Sequence, residues 1–203
     1  MNLSDFAGDP LTALRHATGD QHDILDSGLP LAQPDAALPA YIAHLQMLAR
    51  WMGPIDAWLA RFDDGPQGPA APLPAPRMAL IAADLALAGA AMPAYAESGW
   101  PPHASAAWRW GVAYVVEGSQ LGGAVLYKRL AERLAPHPLS YLKPDADGPG
   151  PRWRAFSAAL RAALRSEADI DEACAGARAA FAAILALRPA EKIEAASKTG
   201  AGL

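Results

Sequence analysis

Apolar residues recur at steps of three and four along almost the whole chain, and this spacing restricts the possible folds more than any other feature. It places the apolar side chains on one face of an α-helix. No stretch alternates apolar and polar β-branched residues for long enough to predict a strand. The pattern therefore predicts an all-α fold. Its clearest stripe consists of Ile42, Leu45, Leu48, Met52, Ile55 and Leu59.

Six helices are predicted, and loops rich in proline and glycine separate several of them. Asp9 and Pro10 form a typical helix start, with an N-cap followed by proline at the first helical position. Gly53–Pro54 is expected to kink or split the second helix. The proline-rich segment 63–76 is interpreted as a stiff loop within one domain, because neither flank offers a closed core. The predicted helices span residues 10–27, 35–62, 77–89, 103–134, 152–166 and 169–187.

The domain prediction is one helical domain over residues 1–188, followed by a polar tail over 189–203 that is expected to fray. The net charge of −4 argues against a nucleic-acid partner, which would need a basic face. Cys174, the single cysteine, is interpreted as a small packing residue, and the cytoplasm is the expected location. No signal peptide and no membrane span are predicted.

The segment 108–130 is predicted to be a helix but contains four glycines. Each glycine costs about 0.8–1 kcal/mol relative to alanine in a helix interior. Gly111, Gly118 and Gly122 share one face at this spacing and leave a bare strip of backbone. Two interpretations stay open: a second helix packs closely on the strip, or a flat ligand lies where any Cβ would clash.

The first predicted helix places Arg15, His22 and Asp26 on one side. A neutral imidazole is a good ligand for heme iron. A carboxylate one turn further along can accept the other ring N–H of that histidine. A guanidinium pairs well with a heme propionate. The remaining histidines are interpreted as surface or satisfied core residues: His16, His44, His103 and His137.

Two motifs in this order resemble the heme oxygenase family. The segment LRHATGDQHDILD resembles the family's proximal helix, with a basic residue, Thr, His and an acidic residue in register. The segment YVVEGSQLGGAVL is very similar to the Glu-Gly-Ser-x-Leu-Gly motif of bacterial members, including those paired with bacteriophytochromes. RWRAFSAAL and GARAAFAAILAL are similar to the same branch, so the resemblance covers about residues 11–187.

The resemblance implies a role for each matching residue. His22 is the expected proximal iron ligand, and Asp26 matches the acidic residue that hydrogen-bonds it. Gly118, Ser119 and Gly122 are the expected catalytic residues of the distal helix, where Ser119 stands at the position of an aspartate in animal members. The other expected heme contacts are Arg15, Tyr114, Lys128 and Arg129 near the propionates, and Phe181 in the pocket wall.

The implied function is the cleavage of heme b to biliverdin, CO and iron, driven by O2 and electrons. Heme is then both substrate and cofactor, a ferredoxin or a reductase supplies the electrons, and a bacteriophytochrome is a possible acceptor of the biliverdin. Two alternatives stay open. The same fold can serve as a heme carrier or sensor without turnover, or the glycines can simply pack helices in an interaction module.

Overall fold

The computed structural model describes residues 8–95 and 99–188, and these residues form six α-helices and no strand. The all-α prediction is therefore confirmed, and every predicted helix is present. The predicted tail over 189–203 lies outside the described residues. The helices are α1 (Pro10–Ser27), α2 (Leu38–Leu59), α3 (Arg77–Leu87), α4 (Ala106–Leu130), α5 (Gly150–Ala163) and α6 (Glu167–Leu185).

Capping side chains explain where two helices begin. Ser105 accepts a hydrogen bond from the Trp108 backbone N–H at 3.0 Å, so α4 starts at residue 106 rather than at the predicted 103. Ser166 and Asp169 form a reciprocal capping box, which starts α6 at residue 167 instead of 169.

The second helix continues through Pro54, so it is not split there, and the alternative of a kink stays a prediction. A proline inside a helix removes one i→i−4 hydrogen bond, and its ring crowds both the carbonyl four residues earlier and the Cβ of the preceding residue. That residue is Gly53, which has no Cβ, and the segment is buried in the core. The missing backbone hydrogen bond is therefore tolerated within one continuous helix of 22 residues.

The central helices α4 and α6 pack with their backbones close together. A Cβ on Gly111 would overlap the carbonyl oxygen of Ala173, and a Cβ on Gly176 would overlap the carbonyl oxygen of Trp108. Glycine at both positions permits this close crossing. Helix packing is thus the correct interpretation for Gly111.

The outer helices are tied to α6 and leave a space between them. Gln21 on α1 donates a hydrogen bond to the Arg178 carbonyl at 3.2 Å, and the Trp51 indole on α2 donates to the Ala180 carbonyl at 3.0 Å. Together α1, α2, α4 and α6 supply most of the wall of a cavity, which Leu29, Tyr141 and Trp153 also line. No helix within 8–95 and 99–188 combines the length and apolar character needed to cross a bilayer.

Candidate functional site

The cavity between these four helices has a volume of about 810 Å³. This value lies within the range of about 300–1,000 Å³ that is usual for small-molecule and cofactor sites. Most of its wall is apolar, and a few polar side chains converge on it. The apolar wall includes Leu25, Leu29, Met47, Leu48, Trp51, Val115, Leu121, Leu126, Phe181 and Ile184.

His22 projects into this cavity from α1. Its Nδ1 lies 3.4 Å from an Asp26 carboxylate oxygen, and the two side chains are 59% and 63% exposed. The Phe181 ring meets the imidazole edge-on, with the ring centroids 6.0 Å apart. The carboxylate and the aromatic ring together orient the imidazole and leave Nε2 available to a ligand in the cavity.

The glycine strip of α4 divides into a packed part and an open part. A Cβ on Gly122 would have no neighbour within 4 Å apart from its own helix, and one on Gly118 would meet only the Trp153 ring at 3.8 Å. Both glycines line the cavity, whereas Gly111 is covered by α6. The sequence alone left two interpretations open. Close packing applies at Gly111, while Gly118 and Gly122 present bare backbone to the cavity.

Ser119 and Gln120 link the bare backbone to a buried tyrosine. The Ser119 hydroxyl donates to the Val116 carbonyl at 2.7 Å, so its proton is directed into α4. The Gln120 amide donates to the Tyr141 hydroxyl at 2.9 Å and lies 3.4 Å from the Ser119 oxygen. Burial raises the pKa of Tyr141, which favours the neutral phenol. The Ser119, Gln120 and Tyr141 side chains therefore supply neutral hydrogen-bonding groups beside the glycines.

Three of the four residues expected near propionates line the cavity. Arg15 and Arg129 are exposed cations in its wall, and Arg129 also donates to the Ala32 carbonyl at 2.8 Å. Tyr114 is buried beside Arg15, and burial raises the pKa of its phenol although the nearby guanidinium opposes the shift. Lys128 is exposed and is not part of the cavity wall. The cationic edge of the cavity therefore comes from the two arginines.

The cavity wall contributed by α2 was not predicted. Met47, Leu48 and Trp51 are apolar residues on a helix whose composition is typical of any core helix, so no sequence signal distinguishes them as cavity residues. His44 also lies in this wall, and its Nδ1 is buried without a hydrogen-bond partner in the described structure. The interpretation of His44 as a surface or satisfied histidine is therefore wrong. It does hold for His137, which accepts from the Leu139 N–H at 3.1 Å.

A buried ionic cluster lies directly behind the open glycines. Glu117 accepts two hydrogen bonds from Arg152, at 2.7 and 2.8 Å, and forms an ion pair with Arg77 at 2.6 Å. Burial alone would raise the pKa of this carboxyl, but the two guanidinium groups outweigh it and lower the pKa. Because Glu117 immediately precedes Gly118, the cluster holds this turn of α4 against α3 and α5.

We expect Glu117→Gln to reduce the free energy of unfolding by about 2 kcal/mol, because the buried Arg77 and the partly buried Arg152 lose their counter-charge. The folded state lowers the pKa of Glu117 from its ordinary value of 4.5, so the stabilisation is present above that pH and is lost as the pH falls. Urea unfolding at pH 7 and at pH 4 should show that the difference in free energy of unfolding between the wild type and Glu117→Gln is smaller at pH 4.

The control is Asp9→Asn, which neutralises the more exposed Asp9–Arg161 pair. That change is expected to cost less than about 1 kcal/mol. Equal losses in the two variants, or a wild-type advantage that grows as the pH falls, would contradict the role assigned to the buried cluster.

Three comparisons place this geometry among known proteins. The family model described as "Heme oxygenase" matches residues 9–187. A heme oxygenase from Xanthomonas campestris pv. campestris (strain 8004) is 49% identical over 86 residues. That alignment covers 40% of this chain and 50% of the relative, so the chain spans about half the length of the curated relative it matches.

The fold is also similar to a solved structure. The NO- and CO-bound heme oxygenase from Neisseria meningitidis superposes with a TM-score of 0.70 at 25% identity, covering 88% of this chain and 89% of that one. The family model covers most of the sequence, and the similar structure has the same all-α architecture. The chain belongs to the heme oxygenase family.

Proposed function

We propose that this protein is a heme oxygenase, which cleaves heme to biliverdin, CO and iron. One observation carries the proposal: a histidine with a free Nε2 and bare helical backbone face the same cavity. His22 supplies the imidazole, and Gly118 and Gly122 supply the backbone. A helix-packing module would instead bury all three glycines, as it does Gly111.

The residues present fit a heme in four respects. The cavity has the volume and apolar lining that suit a flat aromatic macrocycle. One histidine is oriented for ligation, and two exposed arginines can pair with propionates. The open glycines leave room for a planar ring beside α4. Heme is both substrate and cofactor in this proposal, because its iron supplies the redox chemistry with O2 and its own ring is cleaved.

The proximal side depends on the His22–Asp26 pair. His22 Nδ1 lies 3.4 Å from the Asp26 carboxylate, and a carboxylate at this position favours the tautomer with an unprotonated Nε2. A neutral imidazole donates less electron density to a metal than a cysteine thiolate does, and strong donation favours O–O cleavage. The pair therefore suits a site that must oxidise the ring rather than cleave O2 prematurely.

The distal side depends on the absence of side chains at two positions of α4. Gly118 and Gly122 bring backbone close to the ligand without adding side-chain bulk. The Ser119 proton points to Val116, so Ser119 presents an oxygen that can accept a hydrogen bond from water. Peptide groups and ordered water then supply weak hydrogen bonds where a strong acid would be harmful.

Arg15, Arg129 and Tyr114 are the proposed propionate partners, and Phe181 supports the proximal histidine. Lys128 is left with at most an outer electrostatic role because it lies outside the cavity wall. An external electron donor, either a ferredoxin or a reductase, completes the proposed reaction. Delivery of biliverdin to a bacteriophytochrome remains a prediction from the resemblance, and a cytoplasmic location remains a prediction from the single cysteine.

The test is turnover of added hemin by the purified full-length chain. With a reductant system and O2, we expect the Soret band to disappear while a red-absorbing bilin accumulates that chromatography identifies as biliverdin. Catalase should leave the rate unchanged, since free peroxide degrades heme without an enzyme. Stable binding without ring opening would support the carrier or sensor instead, and no hemin binding would support the interaction module.

A further inference from the structure

His44 places one polar group in an otherwise apolar part of the cavity wall. Its ring lies on α2, near Met47 and Leu48 in sequence, and all three residues line the cavity. Its Nδ1 is buried and has no hydrogen-bond partner among residues 8–95 and 99–188. A buried polar group without a partner costs free energy, and a leucine or phenylalanine at this position would avoid that cost. The position therefore calls for a functional explanation.

The environment of the ring determines what His44 offers to a ligand. Burial lowers its pKa to about 4, so the imidazole is neutral at physiological pH and one nitrogen carries the proton. Neither a donor nor an acceptor lies within hydrogen-bond distance of the buried Nδ1 among the described residues. A neutral imidazole carries one N–H donor in either tautomer. His44 then provides a neutral hydrogen-bond donor from the α2 wall of the cavity.

An intact heme has no group that matches this donor. The polar groups on its periphery are the two propionates, and the exposed cations Arg15 and Arg129 attract them. The rest of the periphery consists of methyl, vinyl and meso C–H groups, which accept no strong hydrogen bond. A ligand seated by its propionates therefore turns carbon and hydrogen toward a buried histidine.

Ring opening changes the chemistry of that edge. In a linear tetrapyrrole each terminal ring is a lactam and carries a carbonyl oxygen, a good hydrogen-bond acceptor. We propose that His44 donates a hydrogen bond to a terminal lactam carbonyl of the opened tetrapyrrole, which makes it a recognition residue for product rather than substrate. This inference rests on the proposed function, because it takes heme and its cleavage product as the two ligands of the cavity.

The experiment compares two ligands in matched variants, with no turnover involved. Hemin and biliverdin are titrated separately into the full-length wild type, His44→Phe and His44→Gln. Binding is followed by absorption and by quenching of tryptophan fluorescence, since Trp51 and Trp153 line the cavity. We expect His44→Phe to raise the Kd for biliverdin about tenfold, equivalent to about 1.4 kcal/mol, with little change for hemin.

Two variants separate hydrogen bonding from packing. His44→Gln keeps a neutral N–H donor and should retain most of the biliverdin affinity. Met47→Leu alters the same wall without a polar group and should leave the ratio of the two affinities unchanged. Circular dichroism of bound biliverdin, which reports the twist of the chromophore, should change in His44→Phe and not in Met47→Leu.

Several outcomes would overturn the inference. The first is an equal loss of affinity for hemin and biliverdin in His44→Phe, and the second is an unchanged affinity for biliverdin in that variant. The third is a wild type that does not bind biliverdin. Failure of the proposed function looks different, because then hemin is not bound or not opened by the wild type. If the wild type turns over hemin normally but His44→Phe changes the Kd of hemin and of biliverdin equally, only the role proposed for His44 is refuted.

Discussion

Hemin mixed with His22→Ala is expected to lose the spectrum of a histidine-ligated heme and to be turned over at least about a hundredfold more slowly than by the wild type. The reason is that, among residues 8–95 and 99–188, His22 is the cavity-wall histidine that lies beside a carboxylate. The apolar walls remain, so hemin should still bind, though more weakly. The measurement is the Soret position of the hemin complex, followed by the rate of bilin formation.

Added imidazole provides the decisive control. The truncated side chain leaves a space at His22, and free imidazole should enter it, restore the histidine-like spectrum and recover part of the activity. His103→Ala is the matched variant, because His103 is exposed and not part of the cavity wall. It should behave as the wild type. A wild-type spectrum in His22→Ala would show that another group ligates the iron and that the proposed site is wrong.

The parts of the site that the sequence predicts are those with a local signature. His22 and Asp26 are one helical turn apart, so their pairing follows from the chain itself. The glycines of α4 are visible because alanine is abundant elsewhere in this chain and glycine is costly within a helix. Each signal is contained within one helix and needs no tertiary information.

The unpredicted parts depend on which helix lies opposite. Gly111 and Gly122 have the same residue type on the same helix face, but α6 covers one and the cavity exposes the other. The α2 wall has the same difficulty, since a stripe facing a cavity and a stripe facing a core have the same period. His44 was misinterpreted for this reason, because only the fold shows that its buried nitrogen lacks a partner.

Alanine at Gly122 and alanine at Gly111 are expected to have opposite effects on stability. Gly122→Ala should stabilise the ligand-free protein by about 0.8–1 kcal/mol, since its Cβ enters open space and alanine favours the helix. Gly111→Ala should destabilise it by about 3 kcal/mol or more, because its Cβ would overlap the Ala173 backbone, which cannot rotate away. Thermal and urea unfolding of the ligand-free variants measures both effects.

Hemin should reverse the stability order of Gly122→Ala and the wild type. The added methyl group occupies space that the ligand needs, so hemin should bind Gly122→Ala more weakly and stabilise it less than it stabilises the wild type.

Ala182→Gly, at an exposed position on α6 outside the cavity wall, controls for helix propensity. It should lose about 0.8–1 kcal/mol and bind hemin normally. If Gly122→Ala destabilised the ligand-free protein, or bound hemin as the wild type does, the glycine would not be there to admit a ligand.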